Sequence, residues 1–136
     1  MKMNLKISQW TLLLVIFSVM SCNRSGSETS SQTSSPQAIA DQLKTNSEVV
    51  LIDVRTPEEV ATGFIKGSVN MNFNSPEFQK SLESLDHSKT YYVYCAVGKR
   101  SGKAQQMMKE MGFEHAQSME GGMNAWVSAG LPLNKP

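Results

Sequence analysis

The chain has 136 residues, 40% of them hydrophobic, with 13 basic and 12 acidic side chains and a formal charge of +1. That length allows one small domain, and the balanced charge gives no reason to expect nucleic acid as a partner. Two cysteines cannot make a disulfide framework, and no Cys/His cluster has metal-site spacing.

The N-terminus reads as an export signal. Lys2 and Lys6 make a basic start, and Trp10 to Met20 is an apolar stretch of 11 residues broken only by Thr11 and Ser18. It is too short to span a bilayer and fits a signal-peptide core. It ends in Val19-Met20-Ser21-Cys22, which resembles the lipobox of bacterial lipoproteins. The resemblance implies cleavage after residue 21, a lipidated Cys22 and a formal charge that moves from +1 to −1 as Lys2 and Lys6 are lost. Each buried methylene of such an anchor contributes about 0.8 kcal/mol. The protein is then expected at a membrane of the cell envelope, its domain periplasmic or otherwise extracytoplasmic. An uncleaved anchor and plain secretion are the other readings. Asn23 to Ser35 holds six serines, two threonines and no large apolar residue, so it reads as a flexible tether. The expected division is a signal peptide at 1–21, a Ser-rich tether at 22–35 and one folded domain at 36–136.

Within that domain helices and strands alternate. Ser35-Pro36 is a helix start, with serine as cap and proline in the first turn, and Ile39, Ala40 and Leu43 face a core. Val49 to Val54 is an apolar run of the kind buried parallel strands carry. Thr56-Pro57-Glu58-Glu59 starts a short helix, capped by Thr56 with acids in its first turn. A short strand is expected over Val69–Phe73, then a helix from Ser75-Pro76 to about Leu85. Tyr91–Tyr94 is a strand, and Ser101–Met111 a helix with Ala104, Met107, Met108 and Met111 on its apolar side and Gly112 at its end. A strand over His115–Met119 and a helix from Gly121-Gly122 through Val127 complete the series, with Trp126 as a core anchor. Such alternation argues a mainly parallel α/β sheet covered on both faces.

Cys95 stands between the Tyr91–Tyr94 strand and the helix after it, where open α/β sheets bind their ligands. The helix N-terminus and the cations Lys99, Arg100 and Lys103 favour a thiolate, which is the nucleophilic form of cysteine. Gly98 lets the loop turn, and its successive N–H groups can hold an anion. The plainer alternative is a structural cysteine in the core. Asp53 and Arg55, at the end of a neighbouring strand, either border the site or form a structural ion pair. Lys99 either meets an anionic ligand or is solvated. The Arg100 guanidinium suits bidentate contact with an oxyanion, or braces the loop. His87 and His115 suggest no role.

Cys95-x4-Arg100 after a strand resembles the active-site loop of rhodanese-type sulfurtransferases. Leu51-Ile52-Asp53-Val54-Arg55-Thr56-Pro57-Glu58-Glu59-Val60, Gly63-Phe64-Ile65-Lys66-Gly67-Ser68-Val69-Asn70 and Glu120-Gly121-Gly122-Met123-Asn124-Ala125-Trp126, continuing to Gly130-Leu131-Pro132, resemble that family's other motifs, in order. The likeness spans about residues 36–133. It implies a three-layer α/β/α domain in which Cys95 is catalytic and Ala96, Val97, Gly98, Lys99 and Arg100 bind substrate. It also implies a small anionic sulfur donor such as thiosulfate, a thiol or cyanide acceptor, and neither metal nor organic cofactor. Phe64 departs from the family, which usually has His there. Two other classes stand beside this reading. A Cys-dependent phosphatase or arsenate reductase would have five residues between Cys and Arg where this loop has four. A non-enzymatic binding module could share the fold. A self-contained dithiol cycle lacks a nearby second cysteine.

Overall fold

In the computed structural model, which describes residues 32–136, the two apolar runs lie side by side at the centre of a five-stranded sheet. They are β2 (Val49–Asp53) and β4 (Thr90–Tyr94), paired in parallel from Val49 opposite Thr90 to Asp53 opposite Tyr94. β3 (Val69–Asn70) flanks β2, β5 (Ala116–Met119) flanks β4, and β1 (Thr33–Ser34) closes the far edge, giving the order β1-β5-β4-β2-β3, all parallel.

The alternation of side chains along the central strands builds two cores. Ile52, Val54, Tyr91, Val93 and Cys95 face one side, under α3 (Phe78–Glu83) and α4 (Lys99–Glu110) with Leu82, Ala104 and Met108. Leu51, Tyr92 and Tyr94 face the other, under α1 (Pro36–Thr45) and α5 (Gly122–Ser128) with Ile39, Met123 and Trp126. The sheet is therefore the middle of three layers. Both faces of β2 and β4 are buried, which is why those strands read as apolar runs. The indole N–H of Trp126 donates to the Pro132 carbonyl at 3.0 Å and anchors the C-terminal segment.

Four elements differ from expectation. β1 was unexpected because an edge strand needs only its backbone, and serines and threonines carry no apolar signal. Gln32 and Ser34 carbonyls accept from Ser118 and Glu120 N–H groups. The strand expected to Phe73 stops at Asn70, because Asn72 folds back to accept from the Asn74 N–H at 3.0 Å. α3 starts at Phe78, since Ser75 closes a turn first, its carbonyl accepting from the Phe78 N–H at 3.1 Å. α4 starts at Lys99, because Gly98 takes φ +94° and the helix winds directly from it. The export segment, Cys22 and the tether up to residue 31 lie outside the described residues. Among the described residues no helix is long and apolar enough to cross a membrane.

Candidate active site

The carboxyl ends of β2 and β4 deliver the chain into loops at the same end of the sheet, and Cys95 is the first residue past β4. Its side chain is 1% exposed, so the thiol sits at the floor of the loop. The next four residues wrap around it. Gly98 donates its N–H to Sγ at 3.1 Å, and the Ser101 hydroxyl lies 3.7 Å from the same sulfur.

The loop is held from behind by α5. The N–H groups of Met123 and Asn124 donate to the Cys95 and Ala96 carbonyls at 2.8 and 3.0 Å. These are helix-terminal donors with no partner inside their own helix. With those carbonyls turned outward, the following amides are free to turn toward the sulfur. The approach needs glycine at residue 122, where a Cβ would stand 2.4 Å from the Cys95 carbonyl oxygen.

Electrostatics follow from this geometry. Burial is the largest single influence on the Cys95 thiol and pushes it up. The Ser101 amide and hydroxyl and the Val97 and Gly98 amides outweigh it, leaving the thiol below its ordinary value. Arg100 is on the first turn of α4, and its fork grips Glu59, with both nitrogens 2.7 Å from the carboxylate oxygens. Glu59 also accepts from the Thr56 N–H at 3.0 Å, as the return half of a capping box at the start of α2 (Pro57–Val60).

Asp53 and Arg55 form a buried pair, 0% and 4% exposed. The guanidinium reaches the carboxylate at 2.6 and 2.9 Å, then donates to the Gly63 and Glu59 carbonyls. It thereby ties the end of β2 to α2, and through Glu59 to Arg100. Lys99 is exposed, and Val97, 60% exposed, stands at the mouth of the loop. Phe64 pairs its backbone with Asn134 in an isolated bridge.

Four site residues escaped the sequence reading in this role. Glu59 and Gly122 stand out in the sequence as helix-start residues and as members of family-like motifs, with no contact to the Cys95 loop implied, and Ser101 only as the beginning of a helix. Ser118 carried no local signal at all. Among the described residues no group of three or more His, Cys, Asp or Glu could hold a metal ion.

The Glu59–Arg100 pair carries a pH dependence. The Arg100 fork above all draws the Glu59 carboxyl down from 4.5 to about 2; burial opposes it, and the Thr56 N–H adds a lesser downward pull. A depressed carboxyl contributes stability above its unfolded value and loses it as pH falls through its folded value. The pair should therefore stabilise fully above about 4.5 and fade toward about 2. The carboxylate is about a third exposed, so the contribution is modest. Glu59→Gln should flatten this acid limb in urea titrations from about pH 1.5 to about pH 6, which brackets the interval between the unfolded and folded values. An unchanged acid limb would show that the pair contributes nothing to the fold.

The "Rhodanese-like domain" family matches residues 35–129. The protein YtwF of Bacillus subtilis, which carries a provisional sulfurtransferase name, is 35% identical over 100 residues, covering 74% of this chain and 94% of that one. A thiosulfate:glutathione sulfurtransferase of Saccharomyces cerevisiae is 37% identical over 93 residues, covering 60% and 67%. A crystal structure of a rhodanese-related protein from Thermoplasma volcanium superposes with a TM-score of 0.68 at 27% identity, covering 76% and 97%.

Proposed function

This chain belongs to the rhodanese-like domain family, and from that premise we propose that it moves sulfane sulfur from a donor such as thiosulfate to a thiophilic acceptor through a persulfide on Cys95. The observation that carries the reading is a buried sulfur facing backbone N–H groups at the end of β4, with only four residues before Arg100.

In the first half-reaction the Cys95 thiolate attacks the outer sulfur of thiosulfate. The new S–S bond forms as the old one breaks, and sulfite leaves with its electron pair. The amides of residues 96–100 hold the anionic donor and then the persulfide anion, as preorganised donors hold developing charge. In the second, an acceptor thiolate, or cyanide in an assay, attacks the terminal sulfur, and Cys95 departs as thiolate. Oxidation states balance within the cycle, so no external oxidant or metal is required. Lys99 and Val97 at the mouth are the first side chains a donor or acceptor meets.

The loop length favours sulfur over phosphorus. Four intervening residues close around one sulfur atom, whereas a tetrahedral phosphoryl group needs the wider ring of five. The Arg100 fork is engaged by Glu59, which leaves the amides as the principal donors to an incoming anion. The Cys22 anchor belongs to the same proposal, supported by sequence, and would hold the domain at an envelope membrane facing small extracytoplasmic thiols.

Intact mass before and after thiosulfate tests the reading. The chain should gain about 32 Da, one sulfur atom, and lose it on adding cyanide. Hydrolysis of a phosphate ester with no sulfur uptake would replace it by phosphoryl chemistry.

A further inference from the structure

Two hydroxyls are buried behind Cys95, those of Ser101 (0% exposed) and Ser118 (2%). Ser118 lies on β5 opposite Val93, on the sheet face that packs against α4, a place where an apolar side chain is the usual occupant. Its Oγ is 2.8 Å from the Ser101 Oγ. Ser101 Oγ is in turn 3.1 Å from the Gly98 carbonyl oxygen and 3.7 Å from Cys95 Sγ.

The direction of these bonds follows from proton counting. A seryl hydroxyl has one proton to give and lone pairs to receive. The Gly98 carbonyl has no proton, and neither does a thiolate or a persulfide anion. The Ser101 proton therefore goes forward, to the carbonyl or the sulfur, and its oxygen receives the Ser118 proton. From this we infer that Ser118 is a positioning residue, which aims the Ser101 hydroxyl at the reacting sulfur and strengthens it as a donor.

A hydroxyl that accepts one hydrogen bond gives a stronger one. As negative charge gathers on Sγ, the Ser101 proton can swing from the carbonyl to the sulfur. The carbonyl is not orphaned, because it keeps the Gly102 N–H at 3.0 Å. Charged groups around Cys95 leave this hydroxyl pair a distinct share of the work. Arg100 faces the sulfur from α4 and is neutralised by Glu59 of α2. Asp53 and Arg55 at the end of β2 neutralise each other, and Lys99 and Glu120 are exposed.

The role rests on Cys95 being the reacting atom, and its test needs no sulfur donor. Iodoacetamide alkylation of the full chain is followed on the peptide carrying Cys95, across pH, for wild type, Ser118→Ala, Ser101→Ala and the double variant. Ser101→Ala should raise the midpoint by about one pH unit and Ser118→Ala by about half a unit, the scale of one hydrogen bond and of its polarisation. The double variant should match Ser101→Ala, because Ser118 acts through Ser101. A Ser118→Ala midpoint equal to wild type, or a double variant that adds the two shifts, would overturn the inference. A wild type that takes up no sulfur but shows these shifts would refute sulfur transfer and leave the hydroxyl relay standing.

Discussion

Cys95→Ser is expected to abolish sulfur transfer while the domain stays folded. Serine is slightly smaller than cysteine, and its oxygen can receive the Gly98 N–H that now meets the sulfur at 3.1 Å. The side chain is 1% exposed and lies in the core formed with Val93 and Ala104, so the substitution removes little packing. Chemistry does not survive the change. A seryl hydroxyl does not ionise near neutral pH, and no general base stands within hydrogen-bond reach of this position among the described residues, so the nucleophile is lost outright. Turnover of thiosulfate with cyanide should fall by at least about a thousandfold. The variant should gain no mass with thiosulfate, and its thermal midpoint should stay within a few degrees of wild type. A variant still turning over near the wild-type rate would show that Cys95 is not the sulfur carrier.

What could be read from sequence, and what could not, follows the range of the interaction involved. Cys95, its place after a strand and the glycine that turns the loop are local, and so is the Thr56 cap. The three layers were legible because both central strands are apolar on both faces. The partner of Arg100 was not, since Glu59 lies 41 residues away in sequence and meets it only when α2 and the Cys95 loop converge. Asp53 and Arg55 are both buried and paired at 2.6 Å, a pairing that depends on burial and is not visible in their spacing. Two opposite charges with neither exposed are held in the fold by pairing with each other. Ser118 shows the limit most plainly, because one serine in a short strand is silent until the strand's register sets it beside Ser101. The start of α4 is a subtler case. Moving it from Ser101 to Lys99 puts Arg100 on a helical turn, which fixes the direction of its fork toward Glu59.

Gly122→Ala should be the most damaging change that touches no reacting group. Gly122 takes φ +57°, and a Cβ there would lie 2.4 Å from the Cys95 carbonyl oxygen and 2.9 Å from the Ala96 carbonyl carbon and oxygen. All three obstacles are backbone, so no side chain can swing aside. Either α5 retreats, and the N–H bonds from Met123 and Asn124 to those carbonyls stretch, or the Cys95 loop gives way. Strain at a left-handed residue and the loss of two buried hydrogen bonds together predict about 2–4 kcal/mol of destabilisation. Sulfur transfer should fall more than stability accounts for, because the same two carbonyls set where the loop amides point. Gly102→Ala in α4 is the matching control. A Cβ there meets nothing within 4 Å, and a helical glycine replaced by alanine should stabilise by about 0.5–1 kcal/mol. Urea midpoints for the two variants should therefore move in opposite directions. If Gly122→Ala kept both wild-type stability and wild-type alkylation of Cys95, the clamp from α5 would not be what shapes the loop, and the four-residue ring would have to hold its form by its own bonds to the sulfur.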